Sequence, residues 1–251
     1  MRVAREALKS LMRRNPAVFN PLWALAYPMV RRDERYAGHE YHDRGEAFDT
    51  IYRQNRWGSG ESRSGKGSTL HYTKPLRASL ARCLNQLKVG VLLDAPCGDF
   101  NWMRHVELPP GARYVGGDIV APLIEELGEK SGDATHEFRR MDIVEEPLPQ
   151  ADLWLCRDVL FHLSNAEILK ALYNFCHSSI PYILTTTYNF QRFNSDIKSG
   201  GFRFINLRLP PFALPKPIST IADFVAPEPP RYLGLWSREQ IRTALGEAGS
   251  Q

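Results

Sequence analysis

From residue 89 onward, short apolar runs alternate with amphipathic stretches, which predicts strands and helices following one another along the chain. The first run (Val89, Val91, Leu92, Leu93) ends in a carboxylate, Asp94. A small-residue turn follows (Ala95, Pro96, Cys97, Gly98), and residues 100–105 can begin a helix. A second run, Tyr114 and Val115, leads to Asp118, and residues 121–130 read as a helix. Residues 136–141 predict a third strand that delivers Asp142 and then Ile143, and residues 152–156 a buried fourth. Ser164 and Glu167 form an S-x-x-E pattern that opens a helix running to about His177. Residues 180–188, β-branched and apolar, predict a fifth strand with Tyr188 and Asn189 at its end. The alternation predicts an α/β fold: a doubly wound, mostly parallel sheet with helices on both faces.

The flanks are less regular. Residues 46–54 read as a helix, and Pro75 opens another through Lys88, with Leu76, Leu80, Cys83, Leu84 and Leu87 on one face. Residues 190–201 are polar, residues 202–209 alternate well enough to be a strand, and residues 209–230 are dense in proline. That last composition suits an extended covering loop. Residues 232–236 predict a final strand, and Ser237 opens a short terminal helix. The short stretch that remains puts the completeness of the closing sheet hairpin in question.

Length and composition bound the partners more than the fold. A chain of 251 residues holds one α/β domain with an extension. Apolar content of 43% and charged content of 24% are ordinary for a soluble protein. The net charge of +4 comes from Lys and Arg spread along the chain, so no nucleic-acid partner is expected. The four cysteines are widely spaced with no C-x-x-C pair, which favours a reduced, cytoplasmic protein over a zinc or disulfide scaffold. No metal ligand set is expected.

Residues 1–74 read as an N-terminal helical cap and lid, and residues 75–251 as the α/β domain. Residues 15–30 are uncharged between arginine pairs, but three prolines break them and they are too short to span a bilayer. Two readings stay open there: a cap packed on the domain, which is preferred, or a basic, Trp-bearing segment in peripheral contact with a membrane. Residues 57–69 are rich in Gly and Ser. Gly60 to Lys66 satisfies G-x-x-x-x-G-K, yet Gly67 stands where a P-loop needs Ser or Thr, and no apolar strand precedes it. A lid over the ligand is the better reading, with Trp57 and Arg63, or Lys66, toward cofactor or substrate.

The strand ends carry the chemistry. An acid ending the second strand is where nucleotide-binding folds hold the two ribose hydroxyls, which assigns Asp118. A dinucleotide fold wants G-x-G-x-x-G so that backbone amides close on a pyrophosphate; only Gly98 is in place here. Asp94 instead suits an amino-bearing ligand. With Asp94-Ala95-Pro96-Cys97-Gly98-Asp99, the chain resembles the class I S-adenosylmethionine-dependent methyltransferases over residues 89–188, with Pro96 and Phe100 departing from the family's commonest form. The resemblance implies a Rossmann-like fold and S-adenosyl-L-methionine as cofactor. It implies cofactor contacts at Asp94, Ala95, Pro96, Cys97, Gly98, Asp118 and Ile119. It also implies that Asp142 takes the adenine amino group while Ile143 packs on the ring, and Arg157 is counted with this set.

Asp158 and His162, past the fourth strand, are the catalytic candidates, either of which would serve a hydroxyl acceptor as base. Trp57, Arg63, Tyr188 and Asn189 are the substrate candidates. The expected activity is O-methylation of a small molecule or saccharide. A nicotinamide-dependent oxidoreductase and a non-catalytic binding module remain as alternatives, and the oligomeric state is not fixed by the sequence.

Overall fold

The structure is a computed structural model that describes residues 41, 43–226 and 228–246. The cap-or-anchor segment, residues 1–35, lies outside the described residues. No helix among the described residues is long and apolar enough to cross a membrane.

Helices α1 (Arg44–Arg53) and α2 (Leu70–Gln86) precede strand β1 (Val91–Asp94). Then come β2 (Arg113–Asp118), α3 (Ala121–Ser131), β3 (His136–Arg140), β4 (Leu153–Cys156), α4 (Asn165–His177) and β5 (Tyr182–Thr187). Strands β6 (Ser219–Ala222) and β7 (Tyr232–Ser237) and helix α5 (Arg238–Ala244) close the described chain. The sheet has seven strands among the described residues, in the order β3-β2-β1-β4-β5-β7-β6. Neighbours from β3 to β5 are parallel, and β7 is antiparallel to β5 and β6.

Strand order reverses between β1 and β4, so the chain winds outward in both directions from the centre. Right-handed crossovers that leave in opposite directions put their helices on opposite faces, α3 on one and α4 on the other. Each helix is there for local reasons. α4 and α5 both open with reciprocal capping boxes, Ser164 with Glu167 and Ser237 with Gln240. Between the sheet and the helices, Trp154, Trp236, Tyr114 and Phe175 are fully buried. The indole N–H of Trp154 donates to the Ala95 carbonyl at 2.8 Å and that of Trp236 to the Pro215 carbonyl at 2.8 Å, so neither leaves a donor unmet.

Four expectations change. α2 begins at Leu70, five residues before Pro75, because the Thr69 side chain caps the Tyr72 amide; the proline sits within the early turns. No α-helix follows the turn after β1, only a 3-10 turn at Met103–His105. Gly98 and Phe100 both have positive φ, +55° and +56°, which ends any regular helix there. Residues 202–209 form no strand: single crosswise bonds pin them, the Arg203 amide to Phe161 O and the Tyr188 amide to Ile205 O, where a ladder would need a paired series. The proline-rich segment is not wholly irregular, since β6 lies within it and pairs with β7. The closing hairpin of the sheet is therefore present.

Candidate functional site

The parallel register brings the ends of β1, β2 and β3 to one rim. Asp94 stands opposite Gly116 on β2 and Leu155 on β4, while Asp118 stands opposite Arg140, two residues before Asp142. This rim is the topological switch point, where such sheets open a crevice. A cavity of ≈ 280 Å³ fills it, lined by Asp94, Pro96, Cys97, Gly98, Asp118, Ile119, Asp142, Ile143, Arg157, Asp158 and His162 among others. Ala95 is the exception in the predicted cofactor set. It is fully buried below the rim, its carbonyl taken by Trp154, and it does not line the cavity.

The three acids are held in different ways. Asp94 accepts the Tyr114 hydroxyl at 2.7 Å, and burial pushes its carboxyl up to about 7 against the pull of that bond and of Arg157. Asp118 accepts the Gly98 amide at 3.1 Å on one oxygen and the Val120 amide at 3.1 Å on the other; burial still raises it to about 6. Asp142 accepts the Val144 amide at 2.9 Å and the Arg44 guanidinium at 2.6 Å. Each carboxylate keeps acceptor capacity beyond these bonds.

Residues 57–69 lie over this rim. Asp99 binds the loop down, accepting the Ser62 and Ser64 hydroxyls and the Arg63 amide, while its own amide donates to Ser64 Oγ. The approach is close enough that a Cβ at Gly98 would lie 2.2 Å from Ser64 Oγ. Gly98 is thus required twice, by its positive φ and by this contact. The P-loop-like string has no strand before it, and its Arg63 amide is occupied by a carboxylate. The Arg63 side chain lies over the Tyr52 ring at 5.3 Å, outside the cavity lining, whereas Trp57 and Lys66 line it. The Lys66 ammonium makes no ion pair or hydrogen bond among the described residues.

At the end of β4 the charges are locked together. Arg157 donates to both oxygens of Asp223, which follows β6, at 2.9 and 3.0 Å. Arg231, just before β7, donates to Asp158 at 2.7 Å, and its Nε lies 3.2 Å from Asp223. Arg157 also donates to the Gly67 carbonyl of the lid at 2.8 Å and lies 4.9 Å above the Trp102 ring. Burial alone would raise the Asp223 carboxyl, but the two guanidiniums outweigh it and hold it below the usual range. Asp158 carries φ +60°, a left-handed conformation that a non-glycine side chain adopts at a cost, and Thr186 and Arg231 hold its two oxygens.

His162 sits in a 3-10 turn, Leu160–His162, with its ring against Trp57 at 5.8 Å and Phe202 at 5.7 Å. Its Nδ1 lies 2.6 Å from the Gly201 carbonyl, which can only accept, so Nδ1 carries the proton and Nε2 is the basic nitrogen. Burial holds the imidazole down to about 4, so it is neutral at physiological pH. Tyr188 and Asn189 do not line the cavity. Tyr188 is buried against Phe161 and Phe204, and Asn189 is exposed.

Several lining residues escape sequence reasoning: Arg44, Phe48 and Tyr52 from α1, Trp102, Phe202 and Arg231. The spacing of the first three, one helical face, was a usable signal that α1 buries something. Nothing in it says that the buried object is this cavity. The other three come from turns and coil, where no periodicity operates.

A scan against protein-family models and a comparison with curated proteins gave no match. Solved structures do match. PigF with SAH is 14% identical with a TM-score of 0.55, over 87% of this chain and 69% of that one. The DhpI–SAH complex is 20% identical with a TM-score of 0.53, over 78% of this chain and 97% of that one. The methyltransferase domain of bacterial CtHen1-C is 12% identical with a TM-score of 0.51, over 66% of this chain and 98% of that one. The chain has the Rossmann-like fold of the class I methyltransferases.

Proposed function

We propose that this chain is an S-adenosylmethionine-dependent methyltransferase that methylates oxygen on a small molecule or a saccharide. One observation carries the reading: Asp94, Asp118 and Asp142, from the ends of three successive strands, line a single cavity at the switch point. The donor set fits the cofactor. Asp118 faces the ribose diol, Asp142 the adenine amino group, and Ile119, Ile143 and Val144 the ring. Asp94 and the Lys66 ammonium suit the ammonium and carboxylate of the methionine end. A dinucleotide fits less well, because the turn after β1 leads into no α-helix whose N-terminus could take a pyrophosphate.

When bound, S-adenosylmethionine supplies the activated methyl group, and the protein's task is to bind, orient and exclude water. His162, neutral and held by the Gly201 carbonyl, orients the substrate hydroxyl as a hydrogen-bond acceptor rather than as a strong base, and Asp158 with Arg231 orients the rest of that substrate. Trp57 and Phe202 wall the substrate side. The direct test is methyl transfer from labelled S-adenosylmethionine to a panel of sugars and phenols. Transfer to a hydroxyl, lost about a hundredfold in His162→Ala with SAH (S-adenosylhomocysteine) affinity unchanged, supports the reading. No SAH binding, with binding of NAD instead, would refute it.

The raised acids make binding pH-dependent. Asp94 near 7 and Asp118 near 6 are protonated in the free protein below those values. Their protonated forms contribute stability in full below about pH 4, and this is lost as pH rises through the folded values. A ligand bearing an ammonium favours the ionised acids, so it binds with proton release. SAH affinity is therefore expected to fall at least about thirtyfold from pH 8 to pH 5.5, read by calorimetry in buffers of differing ionisation heat. A flat profile would remove Asp94 from the site.

A further inference from the structure

α1 is not part of the sheet or of the strand-end loops, yet it supplies one wall of the cavity. Arg44, Phe48 and Tyr52, one turn apart along a single face, all line it. The first of these is tied to the site by side-chain geometry. Arg44 Nη2 donates to Asp142 Oδ2 at 2.6 Å, and Nη1 donates to Glu167 Oε1 at 2.8 Å. All three side chains are largely buried, with relative exposures of 15%, 10% and 19% for Arg44, Asp142 and Glu167.

Glu167 is a fixed post. It belongs to the capping box of α4, where its other oxygen takes the Ser164 amide and the Ser164 and Ser199 hydroxyls. Arg44 therefore spans from a rigid helix start to Asp142, and together with the Val144 amide on the other oxygen it fixes the rotation of that carboxylate. The guanidinium Nε–H is buried with no acceptor among the described residues. Asp142 thus presents a carboxylate acceptor at the cavity wall, held from behind by Arg44. The exocyclic amino group of adenine is the complementary N–H donor. Hypoxanthine puts a carbonyl oxygen there, which offers the carboxylate no proton.

We infer that Arg44, from the N-terminal helix, is the positioning residue that makes the site specific for adenine over hypoxanthine, by holding the Asp142 carboxylate toward the ring edge. This rests on the cofactor reading given above. Removal of Arg44 leaves the Val144 amide holding Oδ1 and releases Oδ2 toward water, and Glu167 keeps its serine partners, so α4 stays capped.

The test compares wild type, Arg44→Gln and Arg44→Lys by calorimetric titration with SAH and with S-inosylhomocysteine, its deaminated analogue. Wild type is expected to prefer SAH by at least about tenfold, the discrimination a mismatched polar edge gives. In Arg44→Gln the SAH affinity falls about tenfold while the inosine analogue is unchanged, so the ratio collapses; Arg44→Lys restores part of it. An unchanged ratio in Arg44→Gln, or equal weakening of both ligands, overturns the inference and leaves the cofactor reading intact. Failure of wild type to bind SAH overturns both. Thermal unfolding of each variant without ligand reports separately whether α1 still docks.

Discussion

Asp118→Ala is expected to weaken SAH binding at least about a hundredfold, below detection in an ordinary titration. Each hydrogen bond to a charged group contributes about 1.5–3 kcal/mol, and the ribose diol offers two donors to one carboxylate. The substitution also removes the acceptor that the Gly98 and Val120 amides share, so the turn that shapes the methionine end loses its anchor. Asp118→Asn separates the two effects, because it keeps an acceptor oxygen and the volume; it is expected to recover roughly half of the lost free energy. Lys66→Ala, in the same titration, is expected to cost about tenfold for SAH and little for 5′-methylthioadenosine, which lacks the carboxylate. Retained micromolar binding in Asp118→Ala would place the ribose elsewhere and dismantle the assignment of the three acids together.

Asp223→Ala is expected to have the largest effect on stability. Its carboxylate is fully buried between Arg157 and Arg231, and its removal leaves two guanidiniums sharing only Asp158. Breaking a buried charge network in this way costs about 3–5 kcal/mol, because the remaining charges keep their desolvation penalty and lose their compensation. For a chain of this size that corresponds to a fall in Tm of about 10 °C, measured by thermal denaturation. The loss should extend to the site, since Arg157 also holds the lid carbonyl at Gly67 and Arg231 holds Asp158. Asp223→Asn should lose less stability, keeping hydrogen bonds without the charge. A Tm within 2 °C of wild type, roughly half a kcal/mol by the same conversion, would show that the cluster is solvated and not the keystone of the β6–β7 edge.

The cluster also revises how Arg157 and Asp158 are understood. A sequence ending its fourth strand in Arg-Asp invites a reading of two ligand contacts. In the fold, Arg157 points its guanidinium at Asp223, a residue far along the chain, and Asp158 has a protein donor on each oxygen. Both line the cavity, so they remain part of its wall. Their first partners are each other's neighbours, and nothing local to residues 157 and 158 announces that.

Strands β1 to β5 and β7, the capping box of α4 and the acids that terminate β1 and β2 were legible because each depends on local order: a run of apolar residues, an S-x-x-E box, a carboxylate before a small-residue turn. A period of two or of 3.6 residues is a property of the backbone, and the chain displays it before it folds. The motif acids follow the same logic, since a parallel strand sets its own C-terminal residue at the rim. What the sequence by itself determined, then, is an α/β sheet with Asp94, Asp118 and Asp142 on one edge.

The tertiary structure alone decided the rest. It turned residues 202–209 from an alternating strand into coil pinned by Phe161, drew β6 out of a proline-rich stretch, and buried Ala95 beneath the rim while leaving Asn189 in solvent. It also brought Arg44 to Asp142 and Asp223 to Arg157, pairs separated by 98 and 66 residues. Such pairings depend on loop closures and on which buried charge finds a partner. Those energies exist only once the sheet has fixed the distances, so no local pattern can carry them.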